Sequence, residues 1–239
     1  MTEEFYRISE NIKRIEENIA RAALKSGRSE KDVNLVAVTK TVDTERINHA
    51  LSCGIKYIGE NKVQEFLQKR DALMLNGVSA HLIGHLQTNK VSKIVGKVDM
   101  IESVDSVRLA EAISKKSLEL GLKTDVLLQV NIGREESKSG ILPEMLFETA
   151  DEISRFDGIM VRGLMAIPPA QGDDLEKCKF FSNMYKLFID IKGKKMDNSN
   201  VKVLSMGMSG DYGLAIECGA TLVRVGTGIF GHRNYNLNI

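Results

Sequence analysis

The chain has 239 residues, of which 43% are hydrophobic and 27% charged, as expected for an ordinary globular protein with room for one large α/β domain. Its 33 basic and 32 acidic residues give a formal net charge of +1, which argues against a dedicated nucleic-acid surface. No stretch approaches the roughly 18 apolar residues that span a bilayer, and the N-terminus does not resemble a secretory signal. Three widely spaced cysteines argue against a disulfide or metal framework. The sequence therefore predicts a cytoplasmic protein that binds neither nucleic acid nor membrane.

The first predicted element is a long amphipathic helix. One face carries apolar residues at alternating spacings of three and four: Phe5, Ile8, Ile12, Ile15, Ile19 and Ala22. The pattern ends near Ser26 and Gly27, where a glycine can terminate a helix. We expect residues 1–27 to pack as an extra helix on the main domain, since three heptads are weak grounds for the alternative of a coiled coil. Without an evident linker, residues 1–239 are expected to form a single domain.

Downstream, strand-like runs alternate with helical patterns. Strands are predicted to start near Leu35, Lys56, His81, Asp99, Asp125, Met160, Val201 and Leu222. Helical patterns cover residues 44–52, 62–75, 89–95, 106–120, 143–153, 175–191 and 212–218. This alternation implies a parallel α/β sheet, either an open doubly wound sheet or a closed barrel. The eight strands, and the absence of a glycine-rich turn after the first of them, favour a (β/α)8 TIM barrel.

Lys40 ends the first predicted strand and is a candidate nucleophile. Side chains alternate along a strand, so Lys40 is expected to share the inward face with Val36 and Val38. A partly desolvated amine has a lowered pKa and reacts with aldehydes. The alternative is a lysine that caps the strand and extends its amine to water.

Two glycine-containing turns follow the last two predicted strands. Ser209 and Gly210 lie in the first turn, and Gly226 and Thr227 lie in the second. Backbone N–H groups and hydroxyls at these strands form the usual phosphate site of phosphate-binding barrels. The alternative is that the glycines serve only tight connections, but the occurrence of both turns at these strands favours phosphate binding.

Arg224 lies within the apolar last strand, where an unpaired charge would be costly. Its partner is either a carboxylate, such as Glu217 or Glu102, or a ligand atom below the phosphate turns. An amine, a phosphate site and an arginine between them describe pyridoxal 5′-phosphate, with its aldehyde on Lys40 and its ring nitrogen facing Arg224. Because arginine only donates, that nitrogen would stay unprotonated, which makes the cofactor a poor electron sink.

The chain closely resembles the pyridoxal-phosphate homeostasis protein family. The resemblance rests on motifs in order at residues 35–40, 59–65, 81–90, 137–140, 163–168, 205–211 and 223–231. It implies an alanine-racemase-type barrel, a cofactor held as an imine with Lys40, and a position close to the cofactor for Asn61. The alternative for Asn61 is a helix N-cap before Lys62. It also implies a monomer.

The predicted function is a non-catalytic carrier that binds pyridoxal phosphate and supplies or buffers it for apoenzymes. One alternative is a racemase or decarboxylase on the same barrel, which is less favoured because the sequence ends at Ile239, leaving no room for a second β-rich domain. The other alternative is a Schiff-base aldolase on a barrel, which would also use a lysine. Such an enzyme has no need for an arginine between the phosphate site and the imine, where Arg224 is expected. Lys138, in the loop after the fifth strand, is a candidate secondary acceptor of the cofactor or else an ordinary solvated lysine.

Overall fold

A computed structural model describes residues 2–169 and 172–231. Eight parallel strands form a closed barrel in chain order, with β1 hydrogen-bonded to both β2 and β8. The strands are β1 Asn34–Val38, β2 Tyr57–Glu60, β3 Ser79–Leu82, β4 Met100–Val104, β5 Thr124–Val130, β6 Ile159–Ala166, β7 Ser199–Ser205 and β8 Leu222–Val225. The predicted (β/α)8 barrel is confirmed, and the open sheet is excluded because β1 and β8 pair.

Helices alternate with the strands in the described chain. They are α1 Glu3–Lys25, α2 Thr44–Ser52, α3 Val63–Lys69, α4 Val91–Ile94, α5 Val107–Glu119, α6 Leu146–Ser154, α7 Asp174–Gly193, α8 Tyr212–Glu217 and α9 Thr227–Phe230. Short 3₁₀ turns occupy Glu30–Asp32, Arg70–Ala72, Thr88–Lys90 and Pro143–Met145.

The helix predicted over residues 62–75 is shorter than expected, because α3 ends at Lys69. Its continuation is tied to α2 instead: the side chain of Asn48 donates to the carbonyl oxygen of Ala72 and accepts from the N–H of Met74, both at 2.9 Å. These bonds satisfy backbone groups that a continued helix would have paired internally. The four-residue α9 was not predicted, since it is too short to show helical periodicity.

Alternation along the strands separates two buried layers. Ala37, Val223 and Val225 belong to the hydrophobic core between strands and helices. Val36 is also fully buried but does not belong to that core. Val36 is the register partner of Arg224, so both side chains face the barrel interior. The charged side chain of Arg224 therefore lies in the barrel interior, next to the apolar side chain of Val36.

The predicted N-terminal helix is confirmed as α1, which packs against α2, α8 and α9. Its buried face carries Ile8, Ile12, Ile15 and Ile19. Asn11 donates to the carbonyl oxygen of Ile229 and Asn18 to the hydroxyl of Tyr212, each at 3.0 Å. The helix thus braces α8 and α9, the two short helices that follow the predicted phosphate turns. None of the helices in the described ranges is both long and apolar enough to cross a membrane.

Candidate functional site

The predicted site residues lie at the carboxyl ends of four consecutive strands of the barrel. β8 and β1 pair at Val225 and Ala37, β1 and β2 pair at Val38 and Gly59, and β7 lies on the other side of β8. All strands are parallel, so the segments that follow them emerge at one end of the barrel. The structure therefore brings together the residues that follow β1, β2, β7 and β8, which lie as far apart in the chain as Lys40 and Thr227.

Lys40 follows β1 at this end of the barrel and is partly buried. The strand stops at Val38, so Lys40 belongs to a short connecting turn rather than to the strand itself. The next residue, Thr41, has φ +60°, a left-handed conformation that a β-branched residue rarely adopts. Such a conformation costs on the order of 1–3 kcal/mol and persists only where surrounding contacts hold it. The turn that carries Lys40 is thus a strained and firmly held piece of backbone.

The contacts that hold this turn come from α3 and from the end of β2. Thr39 donates its hydroxyl to Glu60 at 3.0 Å, and the N–H of Thr41 donates to Glu65 at 2.5 Å. Lys69 donates to the carbonyl oxygen of Thr39 at 3.0 Å. None of these partners was predicted as a site residue, although the spacing of Glu65 and Lys69 is that of a helical ion pair.

Asn61 lies directly after β2 and is partly buried. Its N–H donates to the carboxylate of Glu60 at 3.0 Å. The alternative role as a helix N-cap is wrong, because Lys62 is the N-cap residue of α3. A Cβ at Gly84 would lie 2.2 Å from the carbonyl oxygen of Asn61, so only glycine fits beside this backbone. Asn61 is therefore placed by close packing of the loops after β2 and β3.

The two predicted phosphate turns lie against each other. The hydroxyl oxygen of Ser209 accepts hydrogen bonds from the N–H groups of Gly226 and Gly228, both at 3.2 Å. Both acceptor positions of that hydroxyl are then used, so its O–H remains to be offered to a ligand. Within residues 2–169 and 172–231, the N–H groups of Ser209, Gly210 and Thr227 donate no hydrogen bond. These donors, with the exposed Thr227 hydroxyl, suit a phosphate group.

Gly207 allows the first of these turns to form. Its φ is +90°, and a Cβ there would lie 2.5 Å from the Cβ of Ala215 in α8. Asp211 accepts a hydrogen bond from the N–H of Met208 at 2.7 Å, which closes the turn. The glycine therefore has a structural role of its own, whereas Gly210 is exposed, with open space where a side chain would begin.

Arg224 is buried in the barrel interior, where both terminal nitrogens make contacts. One donates to the hydroxyl of Ser205 and lies 3.9 Å from the carboxylate of Glu102, and the other donates to the carbonyl oxygen of Ala166 at 2.9 Å. Of the two carboxylates that the sequence offered as partners, Glu102 therefore forms the ion pair with Arg224. Glu217 is instead 2.7 Å from Lys25 on α1. A guanidinium has five N–H donors, so these contacts leave donors for a ligand.

Glu102 links Arg224 to a longer buried network. Its carboxylate accepts from the Ser205 hydroxyl at 2.6 Å and lies 2.7 Å from Nδ1 of His81, whose Nε2 is 3.1 Å from the hydroxyl of Ser79. Burial works to raise the pKa of Glu102, but His81, Arg224 and Ser205 outweigh it and hold that pKa below its ordinary value. Burial likewise lowers the pKa of Arg224, and the Glu102 carboxylate opposes it. Sequence alone showed these residues only as isolated polar positions in apolar strands.

The loop with Lys138 also lies at this end of the barrel, after β5. Asn131 binds the carbonyl oxygen of Glu135 at 2.9 Å, and Gln129 binds that of Ser139 at 2.8 Å. The amine of Lys138 pairs with the carboxylate of Glu135 and is about one-third exposed. These side-chain hydrogen bonds hold both ends of the loop that carries Lys138.

Across the part of the chain that the structure describes, no group of three or more His, Cys, Asp and Glu side chains is placed to hold a metal ion.

Comparisons with known proteins identify the family and agree with the fold. The family described as alanine racemase, N-terminal domain, matches residues 11–234. A pyridoxal phosphate homeostasis protein of Aquifex aeolicus is 41% identical over 226 residues, which cover 95% of this chain and 98% of that one. The structure of PipY of Synechococcus elongatus with PLP bound has a TM-score of 0.81 and 32% identity, covering 94% of this chain and all of that one.

An alanine racemase of Clostridium difficile is similar in fold alone, with a TM-score of 0.70 and 17% identity. The similarity covers 96% of this chain and 57% of the racemase chain. The sequence identity, and the share of the other chain that is covered, are far higher for the homeostasis proteins than for the racemase. The chain belongs to the pyridoxal phosphate homeostasis protein family, whose barrel is that of the alanine racemase N-terminal domain.

Proposed function

We propose that this protein binds pyridoxal 5′-phosphate as an imine with Lys40 and supplies or buffers it for other enzymes without turning over amino acids. The observation that carries the proposal is the convergence of four adjacent strand ends. They bring a partly buried lysine, a cluster of phosphate-type donors and a buried arginine to one end of the barrel. Family membership, and the PLP bound to PipY, support the same cofactor.

The residues present fit the three parts of this cofactor. The N–H groups of Ser209, Gly210 and Thr227, with the hydroxyls of Ser209 and Thr227, match a phosphate dianion. Gly226 sets the second turn by donating to Ser209. Asn61 lies beside the ring in this proposal, since it follows the strand next to that of Lys40.

Arg224 supports a carrier rather than an enzyme. Glu102 and Ser205 keep a charged guanidinium in the interior, and a guanidinium can only donate to the pyridine nitrogen. An unprotonated ring nitrogen withdraws electrons poorly, which limits carbanion chemistry on the cofactor. We further propose that the protein acts as a cytoplasmic monomer, independent of nucleic acid and membranes. The near-neutral net charge supports the absence of nucleic-acid binding, and the three free thiols support a cytoplasmic location.

The experiment begins with purified protein loaded with pyridoxal phosphate. Borohydride reduction and peptide mass mapping are expected to place the label on Lys40, with the exposed Lys62 as an internal reference in the same peptide map. Label mainly on other lysines contradicts the imine assignment. The loaded protein is then expected to activate an added apoenzyme and to leave amino acids unchanged.

Amino-acid turnover is the outcome that favours the alternative of a racemase or decarboxylase. Sustained racemisation or decarboxylation contradicts the carrier proposal if its rate scales with protein concentration and is lost in Lys40→Ala. A colourless protein that forms an imine only with other aldehydes would favour the aldolase.

A further inference from the structure

Lys69 is a hydrogen-bonded amine next to the proposed cofactor site. Its side chain is only 15% exposed, and its ammonium group contacts three acceptors. These are the carbonyl oxygen of Thr39 at 3.0 Å, the carboxylate of Glu65 at 2.6 Å and that of Glu60 at 3.3 Å. An ammonium group has three donors, so all of them are used within the protein.

The three acceptors lead to both sides of Lys40. Thr39 precedes Lys40, and its carbonyl oxygen is bound directly by Lys69. The oxygen of Glu65 that Lys69 contacts also accepts the N–H of Thr41, the residue after Lys40. One cation therefore holds the backbone immediately before and immediately after the proposed imine lysine.

The same cluster reaches the end of β2. One oxygen of Glu60 contacts Lys69 and accepts the hydroxyl of Thr39, while the other accepts the N–H of Asn61. Lys69 thus couples the turn after β1 to the turn after β2.

Charge explains why a cation is needed here. Burial raises the pKa of Glu60, and Lys69 opposes that effect. Burial acts in the same direction on Glu65, but the hydrogen bonds from Lys69 and from the N–H of Thr41 leave the pKa of Glu65 below its ordinary value. Without Lys69, two carboxylates would face each other in a largely buried cluster, and the positive-φ conformation of Thr41 would lose its anchor.

We infer that Lys69 is a positioning residue for Lys40: it sets the backbone from which the Lys40 amine reaches the cofactor aldehyde. The inference rests on the proposed function, because it assumes that Lys40 forms the imine. Lys69 itself is not a second acceptor, since an ammonium that donates three hydrogen bonds has no lone pair for an aldehyde.

The test separates imine formation from phosphate binding. In Lys69→Met, the rate of imine formation with pyridoxal phosphate, followed by stopped-flow absorbance, is expected to fall about tenfold or more. Affinity for pyridoxamine phosphate, which has a phosphate but no aldehyde, is expected to change less than about twofold because the phosphate turns lie on β7 and β8. Lys69→Arg should recover part of the rate, since it keeps the charge.

The matched control is Lys93→Met, the same substitution at an exposed lysine of α4, which should leave both quantities unchanged. Equal loss of imine formation and pyridoxamine phosphate binding in Lys69→Met would show a merely structural role and overturn the inference. An unchanged imine rate would do the same. If Lys69→Met does not fold, Glu65→Gln decides: a slower imine rate supports the inference, and an unchanged rate overturns it. If the unmutated protein places no label on Lys40, the proposed function fails, and this inference fails with it.

Discussion

Replacing Ser209 by alanine tests the phosphate site most directly. The hydroxyl of Ser209 accepts from the N–H groups of Gly226 and Gly228, and its O–H is the group that remains for a phosphate oxygen. A hydrogen bond to a charged group contributes about 1.5–3 kcal/mol, which corresponds to about ten- to a hundredfold in affinity. The two N–H groups released by the substitution can turn toward the phosphate, so we expect a loss nearer to tenfold.

The effect on stability should be smaller than the effect on binding. The two bonds to Ser209 are long, neutral and partly exposed, so each contributes at the lower end of the usual range, about 0.5 kcal/mol. The free energy of unfolding of Ser209→Ala, from urea denaturation without cofactor, should therefore fall by about 1 kcal/mol at most.

The assay is a titration of each protein with pyridoxal phosphate and with pyridoxal, followed by absorbance. Ser209→Ala should weaken the binding of pyridoxal phosphate and leave the binding of pyridoxal nearly unchanged. Ser92→Ala, at an exposed serine of α4, is the matched control. The reasoning is refuted if the substitution weakens both ligands equally, or if the unmutated protein does not distinguish them.

Four further predictions concern other parts of the site. Lys40→Ala should abolish the imine absorbance band while some pyridoxal phosphate remains bound noncovalently, as equilibrium dialysis would show; a persisting band contradicts the assignment. A cofactor-bound crystal structure should place an Arg224 nitrogen within about 3.2 Å of the ring nitrogen, and a guanidinium turned away from the ring would refute this role. Because the pKa of Glu102 is lowered on folding, its contribution to stability is present above the pKa of the unfolded carboxyl and is lost as pH falls through the folded value. The difference in unfolding free energy between the unmutated protein and Glu102→Gln should therefore be largest near neutral pH and shrink in acid, and a pH-independent difference would contradict it. Lys138→Ala should slow the release of pyridoxal phosphate to an apoenzyme without changing equilibrium affinity, whereas an unchanged rate would leave it an ordinary loop lysine.

Much of the fold was predictable because its signals are local. Buried β-branched runs and helical periodicity depend only on neighbouring residues, and all eight strands lie within a few residues of their predicted starts. Helix ends were less predictable, as the early end of α3 shows: the contacts of Asn48 with Ala72 and Met74 join segments about 25 residues apart. No local pattern encodes such a contact.

The candidate site divides in the same way. The sequence by itself indicated which groups are available: a lysine at the end of the first predicted strand, glycine-containing turns after the last two strands and an arginine in an apolar strand. These follow from residue type and strand alternation, which are properties of short segments.

Only the tertiary structure decided which partners those groups have. Arg224 pairs with Glu102 rather than Glu217, because barrel closure brings β4, β7 and β8 to a shared interior while Glu217 lies outside beside Lys25. Lys69 reaches the backbone of Thr39 because β1 and β2 are neighbours and α3 packs beside their ends. Hydrogen bonds and ion pairs act over about 3–4 Å, so they are set by where distant strands meet in space and not by spacing along the chain.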